Sequence, residues 1–119
     1  MKTQKIIYWT STSLIALMML MSATMYFTVP EAAKGFEHFG FPDYFRIELG
    51  IAKIIGVIAL ILPMFPMNMK EWSYAGFGIV LISAAIAHGV VDGIQTSIMP
   101  IVMLLILYIS YMNYKKINT

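Results

Sequence analysis

The chain has 119 residues, of which 60% are hydrophobic and 12% charged, with a formal net charge of +2. This composition predicts a single integral membrane domain, residues 1–119, with room for four spans of about 20 residues. The small net charge excludes the basic stripe of a nucleic-acid-binding protein, and the lack of cysteine excludes disulfides and thiolate chemistry.

The first predicted helix covers residues 6–29, an uncharged run that follows Lys2 and Lys5. A cleaved signal peptide is the alternative. The apolar run is longer than a secretory core, and Ser22-Ala23-Thr24-Met25 is a poor cleavage site, so we expect the helix to be retained.

A long connection follows, and it is predicted to contain a short helix. Thr28 and Glu31 have the spacing of a capping box, and Gly40 suits the end of the helix. The segment is aromatic, with Phe36, Phe39, Phe41, Tyr44 and Phe45. We favour an interfacial helix at the level of the lipid headgroups over the alternative, a lid that closes a pocket.

Three further helices are predicted after this connection, at residues 43–62, 72–91 and 98–112. The first of them ends at two prolines, Pro63 and Pro66, and the second ends at Asp92. The fold class is therefore all-α, a four-helix transmembrane bundle with a short interfacial helix between helices one and two. The lysines predict that both termini are cytoplasmic, because most lie on one side: Lys2, Lys5, Lys70, Lys115 and Lys116, against Lys34 and Arg46.

Charged residues within the second long helix are the main functional signal, because a charge inside a membrane costs at least about 2.5 to 3.5 kcal/mol on insertion scales. At about 100° per residue, Arg46 and Lys53 share one face, while Glu48 points about 140° away from Lys53. Gly50 and Gly56 flank Lys53 and would let a neighbouring helix approach closely. Gly76 is a third candidate for helix packing.

The topology brings further polar residues to the same membrane side. Arg46, Glu48, His88 and Asp92 are expected near one face, with Lys53 about 10 Å deeper than Arg46. Glu48 would accept a hydrogen bond from His88 or Lys53, while Asp92 would orient His88 or face water. These five residues are the candidates for ligand binding or a proton relay, and no catalytic residue is assigned.

Each candidate has a simpler structural explanation. Glu48 and Asp92 would be interfacial, Lys53 would extend towards the headgroups, and His88 would serve helix packing. A metal or haem site is not expected, since His38 and His88 are the only imidazoles and no ligand motif accompanies them.

Several blocks resemble the DoxX-like family of small bacterial four-helix membrane proteins. They occur in order between residues 36 and 100: Gly40-Phe41-Pro42-Asp43-Tyr44-Phe45-Arg46, Leu49-Gly50-Ile51-Ala52-Lys53-Ile54-Ile55-Gly56, Leu62-Pro63, Lys70-Glu71-Trp72-Ser73-Tyr74-Ala75-Gly76-Phe77 and Ala87-His88. Ser73 stands where alanine is expected. The resemblance implies a bacterial inner-membrane location and an association with membrane-bound redox complexes, such as an archaeal thiosulfate:quinone oxidoreductase and bacterial thiol-stress defence.

Two functions remain open at this stage. The first is a non-catalytic membrane subunit that binds a lipophilic ligand such as a quinone, or a redox-protein partner, through the polar cluster. The second is a small carrier for a proton or solute. A structural scaffold is the simplest alternative. The lipid bilayer is the one certain partner, and a homo-oligomer is a further candidate.

Overall fold

The computed structural model describes residues 2–62 and 64–117, which form helices and no strand. This confirms the all-α prediction. The elements in chain order are α1 (Lys2–Thr28), α2 (Pro30–His38), α3 (Asp43–Ile61), α4 (Met67–Val91), a 3-10 turn (Ile94–Ser97) and α5 (Ile98–Ile117).

Three stretches of the described chain are long and apolar enough to cross a membrane, judged by length and composition. They are α1, α4 and the segment Ile94–Ile117. Helix α3 is not among them, and it carries four charged residues, Asp43, Arg46, Glu48 and Lys53. The molecule measures 45 × 28 × 20 Å, and its long axis matches a bilayer of about 40–45 Å including headgroups. These features indicate a membrane protein.

The short helix α2 ends as its sequence predicts but begins differently. Gly40 has a φ of 85°, its amide donates to Glu37 O at 2.9 Å, and the Phe41 amide donates to Phe36 O at 2.9 Å. These two bonds form a Schellman motif, which glycine makes possible. The predicted capping box is wrong. Thr28 belongs to α1, and its hydroxyl donates back to Thr24 O at 2.9 Å.

The later helices are longer than predicted. Helix α4 begins at Met67 rather than residue 72, because Pro66 takes an extended conformation as the N-cap and the residues after it are compatible with a helix. Helix α5 begins at Ile98, as predicted, but continues to Ile117 rather than residue 112. Lys115 and Lys116 lie in its last turn, where positive charge suits the helix dipole.

The long helices α1, α3, α4 and α5 run antiparallel to their sequence neighbours. A buried group of hydroxyls joins three of them, with the Ser110 Oγ 2.6 Å from the Thr12 Oγ1 and 2.6 Å from the Tyr74 OH. The hydrophobic core surrounds this group: Tyr8, Ile15, Ala16, Met19, Val57, Leu60, Phe77, Leu81, Leu107 and Tyr114.

Two of the three glycines proposed for helix packing lie at close contacts. A Cβ at Gly56 would be 2.6 Å from the Phe77 Cζ, and a Cβ at Gly50 would be 2.7 Å from the Phe27 Cζ. Gly76 is different, because nothing lies within 4 Å of the position its Cβ would take. Gly76 therefore makes no close helix contact within the described chain.

The end of α3 is capped by a side chain from α4. The Lys70 Nζ donates to Ala59 O at 2.8 Å, Leu60 O at 3.0 Å and Leu62 O at 2.9 Å. Carbonyls in the last turn of a helix lack partners within the helix, and a cation there also complements the helix dipole. Lys70 thus fixes the junction between α3 and α4.

Candidate functional site

A cavity of about 910 Å³ lies among the four long helices on the side covered by α2. Its volume is within the range of small-molecule sites, about 300 to 1,000 Å³. Most of the lining is apolar. It includes five methionines and four phenylalanines: Met18, Met19, Met21, Met99, Met103, Phe36, Phe39, Phe41 and Phe45. The described residues that line it include Lys53 and His88 but no carboxylate.

Lys53 lies in the middle of α3 and contributes the cation of this cavity. Its side chain is only 6% exposed. The Nζ donates to the Ser22 Oγ at 3.0 Å and to the Tyr26 OH at 2.5 Å, and it lies 4.5 Å from the centre of the Tyr26 ring. Helix α1 therefore covers Lys53. Of the two flanking glycines, Gly50 lies against Phe27 of α1, whereas Gly56 lies against Phe77 of α4.

Arg46 lies on the same face of α3, nearer the start of the helix, and it has a different environment. Its Nε and Nη2 donate to the Asp43 Oδ1 at 3.2 and 3.1 Å, and its Nη1 donates to the Tyr26 carbonyl. Arg46 thus has its own carboxylate and ties α3 to the end of α1. It positions Tyr26, the residue that Lys53 contacts.

Helix α2 covers the cavity. The Phe36 ring meets the Tyr26 ring edge-on at 4.9 Å, and the Phe39 ring meets the His88 ring at 4.7 Å. Phe36 and Ala32 on one face of α2 line the cavity, as does Phe39, which follows the end of the helix. These contacts fit the lid, the alternative to the interfacial helix that the sequence favours, and we call α2 the lid.

A polar contact holds the C-terminal end of this lid. The His38 Nε2 lies 2.7 Å from the Asp92 Oδ1, which follows the end of α4, and both side chains are partly exposed. We call this contact the latch. Asp92 therefore pairs with His38 and does not orient His88, and it is exposed, as the alternative of a residue that faces water expects.

His88 and Glu48 have few partners. His88 is half-buried and lines the cavity, and its ring makes no hydrogen bond within the described chain, only the contact with Phe39. Glu48 is exposed on the outside of α3 and pairs with neither Lys53 nor His88 in the described part of the molecule. The cause is the angle of about 140° between Glu48 and Lys53 on the helix, which turns Glu48 away from the cavity.

The structure thus brings two of the five predicted polar residues, Lys53 and His88, to one cavity. Arg46 and Asp92 lie around it with other partners. Sequence reasoning missed Ser22 and Tyr26, the hydroxyls bound to Lys53. Their spacing of four residues was the available signal, because it puts both hydroxyls on one face of α1. The signal is weak, since α1 carries other hydroxyl residues, among them Thr10, Ser11, Thr12 and Thr24.

No group of three or more His, Asp and Glu side chains in the described ranges 2–62 and 64–117 could hold a metal ion. The features of the candidate site are its apolar walls, the buried cation of Lys53, the imidazole of His88 and the hydroxyls of Ser22 and Tyr26.

Comparison with known proteins identifies a family. The sequence profile of the DoxX-like family matches residues 10–110, which includes α1 from its third turn, the lid, Lys53, the latch and most of α5. Neither a curated protein nor a solved structure matches the chain.

Proposed function

The chain belongs to the DoxX-like family, and from this premise we propose that it is a non-catalytic membrane subunit that binds a lipophilic ligand in the cavity beside Lys53. A quinone is a candidate ligand, and a redox protein is a candidate partner. The single observation that carries the proposal is a buried lysine on the wall of a cavity of about 910 Å³ whose other walls are mainly apolar.

The chemistry of the cavity supports a ligand with an apolar body and one polar end. Methionine side chains adapt to different apolar shapes, and five of them line the cavity. An ammonium group has three donors, and two of those on Lys53 are used by Ser22 and Tyr26. The third is available for an oxygen of the ligand, such as a quinone carbonyl.

The membrane arrangement is part of the proposal. Helix α3 would be the fourth span, since its 19 residues extend about 28 Å at 1.5 Å per residue, close to a hydrocarbon core of about 30 Å. The start of α1 and the end of α5 lie together, with the rings of Tyr8 and Tyr114 6.3 Å apart. With the lysine distribution, this supports a bacterial inner-membrane protein with both termini in the cytoplasm.

The carrier hypothesis has less support from the geometry. A second cavity of about 340 Å³, lined by Tyr8 and Lys70 among others, lies at the opposite end of the bundle. Along α1 the inward residues between the two cavities include Thr12 and Ile15, both 0% exposed. Packed side chains thus separate the two cavities, whereas a carrier requires a path that opens between the two sides.

The experiment that tests the proposal is native mass spectrometry of the gently solubilised protein. The wild type is compared with Lys53→Met and with Lys34→Met, which removes an exposed lysine on α2 as a matched control. We expect a small lipophilic molecule retained by the wild type and by Lys34→Met and lost from Lys53→Met. Equal retention by all three proteins, or an empty wild type, contradicts the proposal. The same spectra report any homo-oligomer or bound protein partner.

A further inference from the structure

Lys53 differs from Arg46, the other cation of α3, in having no negative partner. Arg46 is bound to Asp43, but none of the ion pairs among residues 2–62 and 64–117 includes Lys53. The partners of Lys53 are two neutral hydroxyls and an aromatic ring. Glu48 lies on the same helix yet faces outward.

A buried charge without an opposite charge is unfavourable, because neutral dipoles replace only part of its hydration. Other elements around the cavity offer no compensation: α1, α2, α4 and α5 contribute no carboxylate to its lining. The latch carboxylate, Asp92, is already paired with His38 at 2.7 Å. The missing negative charge would therefore come with the occupant.

Resting on the proposed function, we infer that the cavity beside Lys53 binds a lipophilic anion, with a single carboxylate at Lys53 and a long apolar chain among the methionines. Charge complementarity selects the headgroup, and the apolar walls select the tail. A flexible alkyl chain suits this part of the cavity, since Met18, Met99 and Met103 line it and unbranched thioether side chains adapt to a moving chain.

The hydroxyls of Ser22 and Tyr26 have a positioning role in this site. By accepting from Lys53 at 3.0 and 2.5 Å they hold the ammonium group at the wall of the cavity, so that its remaining donor meets the carboxylate. The ammonium group is charged whichever ligand binds, but only a carboxylate adds the attraction between two opposite charges. A neutral headgroup of the same shape should therefore bind about tenfold more weakly.

The test compares ligands that differ only at the headgroup. Palmitic acid, methyl palmitate, hexadecanol and the neutral quinone decylubiquinone compete for the purified full-length protein against a fluorescent fatty acid. We expect the wild type to prefer palmitic acid over the ester and alcohol by about tenfold, Lys53→Arg to keep the preference, and Lys53→Met to lose it. The ratio of the affinities for two ligands is compared between proteins, because each ligand partitions into micelles to the same extent in every sample and the partitioning then cancels.

The outcomes separate this inference from the proposed function. If the ester, the alcohol or decylubiquinone binds the wild type as tightly as palmitic acid, the charge inference is wrong while the cavity remains a lipophilic site. A preference for palmitic acid that persists in Lys53→Met also overturns the inference. If no probe binds, the proposed function itself fails. Should Lys53→Met not fold, Lys53→Gln, which keeps a polar side chain without the charge, takes its place in the comparison.

Discussion

The contact between Gly56 and Phe77 gives a prediction whose magnitude follows from the structure. In Gly56→Ala the new Cβ would lie 2.6 Å from the Phe77 Cζ, closer than atoms in contact permit. Phe77 is only 4% exposed, so its ring cannot swing aside. Overpacking of this kind costs about 1–3 kcal/mol. In Gly76→Ala the Cβ enters open space, and alanine favours a helix interior by about 0.5–1 kcal/mol.

The difference between Gly56→Ala and Gly76→Ala isolates the packing cost, because the helix preference is common to both. Gly50→Ala should fall between them: its Cβ meets Phe27 at 2.7 Å, but Phe27 is 45% exposed and can rotate away. The free energy of unfolding, measured by titrating detergent-solubilised protein with sodium dodecyl sulfate, should rank Gly56→Ala lowest, then Gly50→Ala, then Gly76→Ala. If Gly56→Ala is as stable as Gly76→Ala, the described contact between α3 and α4 is wrong.

Three further predictions concern polar contacts. Ser110→Ala removes the hydroxyl shared by three helices and should lower the free energy of unfolding by about 1–3 kcal/mol. Its control, Ser73→Ala, breaks an exposed bond of 3.2 Å and should change the free energy of unfolding by less than about 0.5 kcal/mol. Equal effects of the two substitutions would contradict the buried network. Lys70→Met removes three carbonyl bonds and should cost about 1–2 kcal/mol, with faster amide hydrogen exchange at the end of α3; unchanged exchange there would argue against the cap. His38→Ala breaks the latch with Asp92, a partly exposed pair that contributes up to about 1 kcal/mol. Without the latch, the bound lipophile should dissociate up to about fivefold faster. An unchanged dissociation rate would show that the latch does not hold the lid.

Residue spacing in the sequence predicts part of the surroundings of Lys53. Glycines on both sides of a lysine in an apolar run predict close helix packing, and Gly50 lies against α1 while Gly56 lies against α4. The helical angle also predicts that Glu48 points away from Lys53. The expected cluster nevertheless included Glu48, because the topology establishes only that two residues share a membrane side. Whether a side chain faces the interior or the lipid depends on how each helix is rotated.

The role of α2 could not be read from its sequence, for a physical reason. Lipid and the inside of this cavity are both apolar, so a helix that rests on the membrane surface and a lid over the cavity need the same aromatic face. The contact between His38 and Asp92 ties α2 to the end of α4, and it joins residues 54 positions apart. The partners of Lys53, Ser22 and Tyr26, likewise come from a different helix, and no local pattern in α3 indicates them.

The central claim, that a lipophilic molecule occupies the cavity beside Lys53, is tested most directly by photo-crosslinking. Cells are grown with a diazirine-carrying methionine, and irradiation links each methionine to the molecule next to it. Met18 and Met103 line the cavity, whereas Met25 is 49% and Met112 37% exposed on the outer surface. If a lipophilic molecule occupies the cavity, we expect one small lipophilic adduct at Met18 and Met103 that is absent from Met25 and Met112. This adduct should disappear in Lys53→Leu, which adds no methionine. The same mixed lipids at all four positions, or an adduct that persists in Lys53→Leu, would contradict the account.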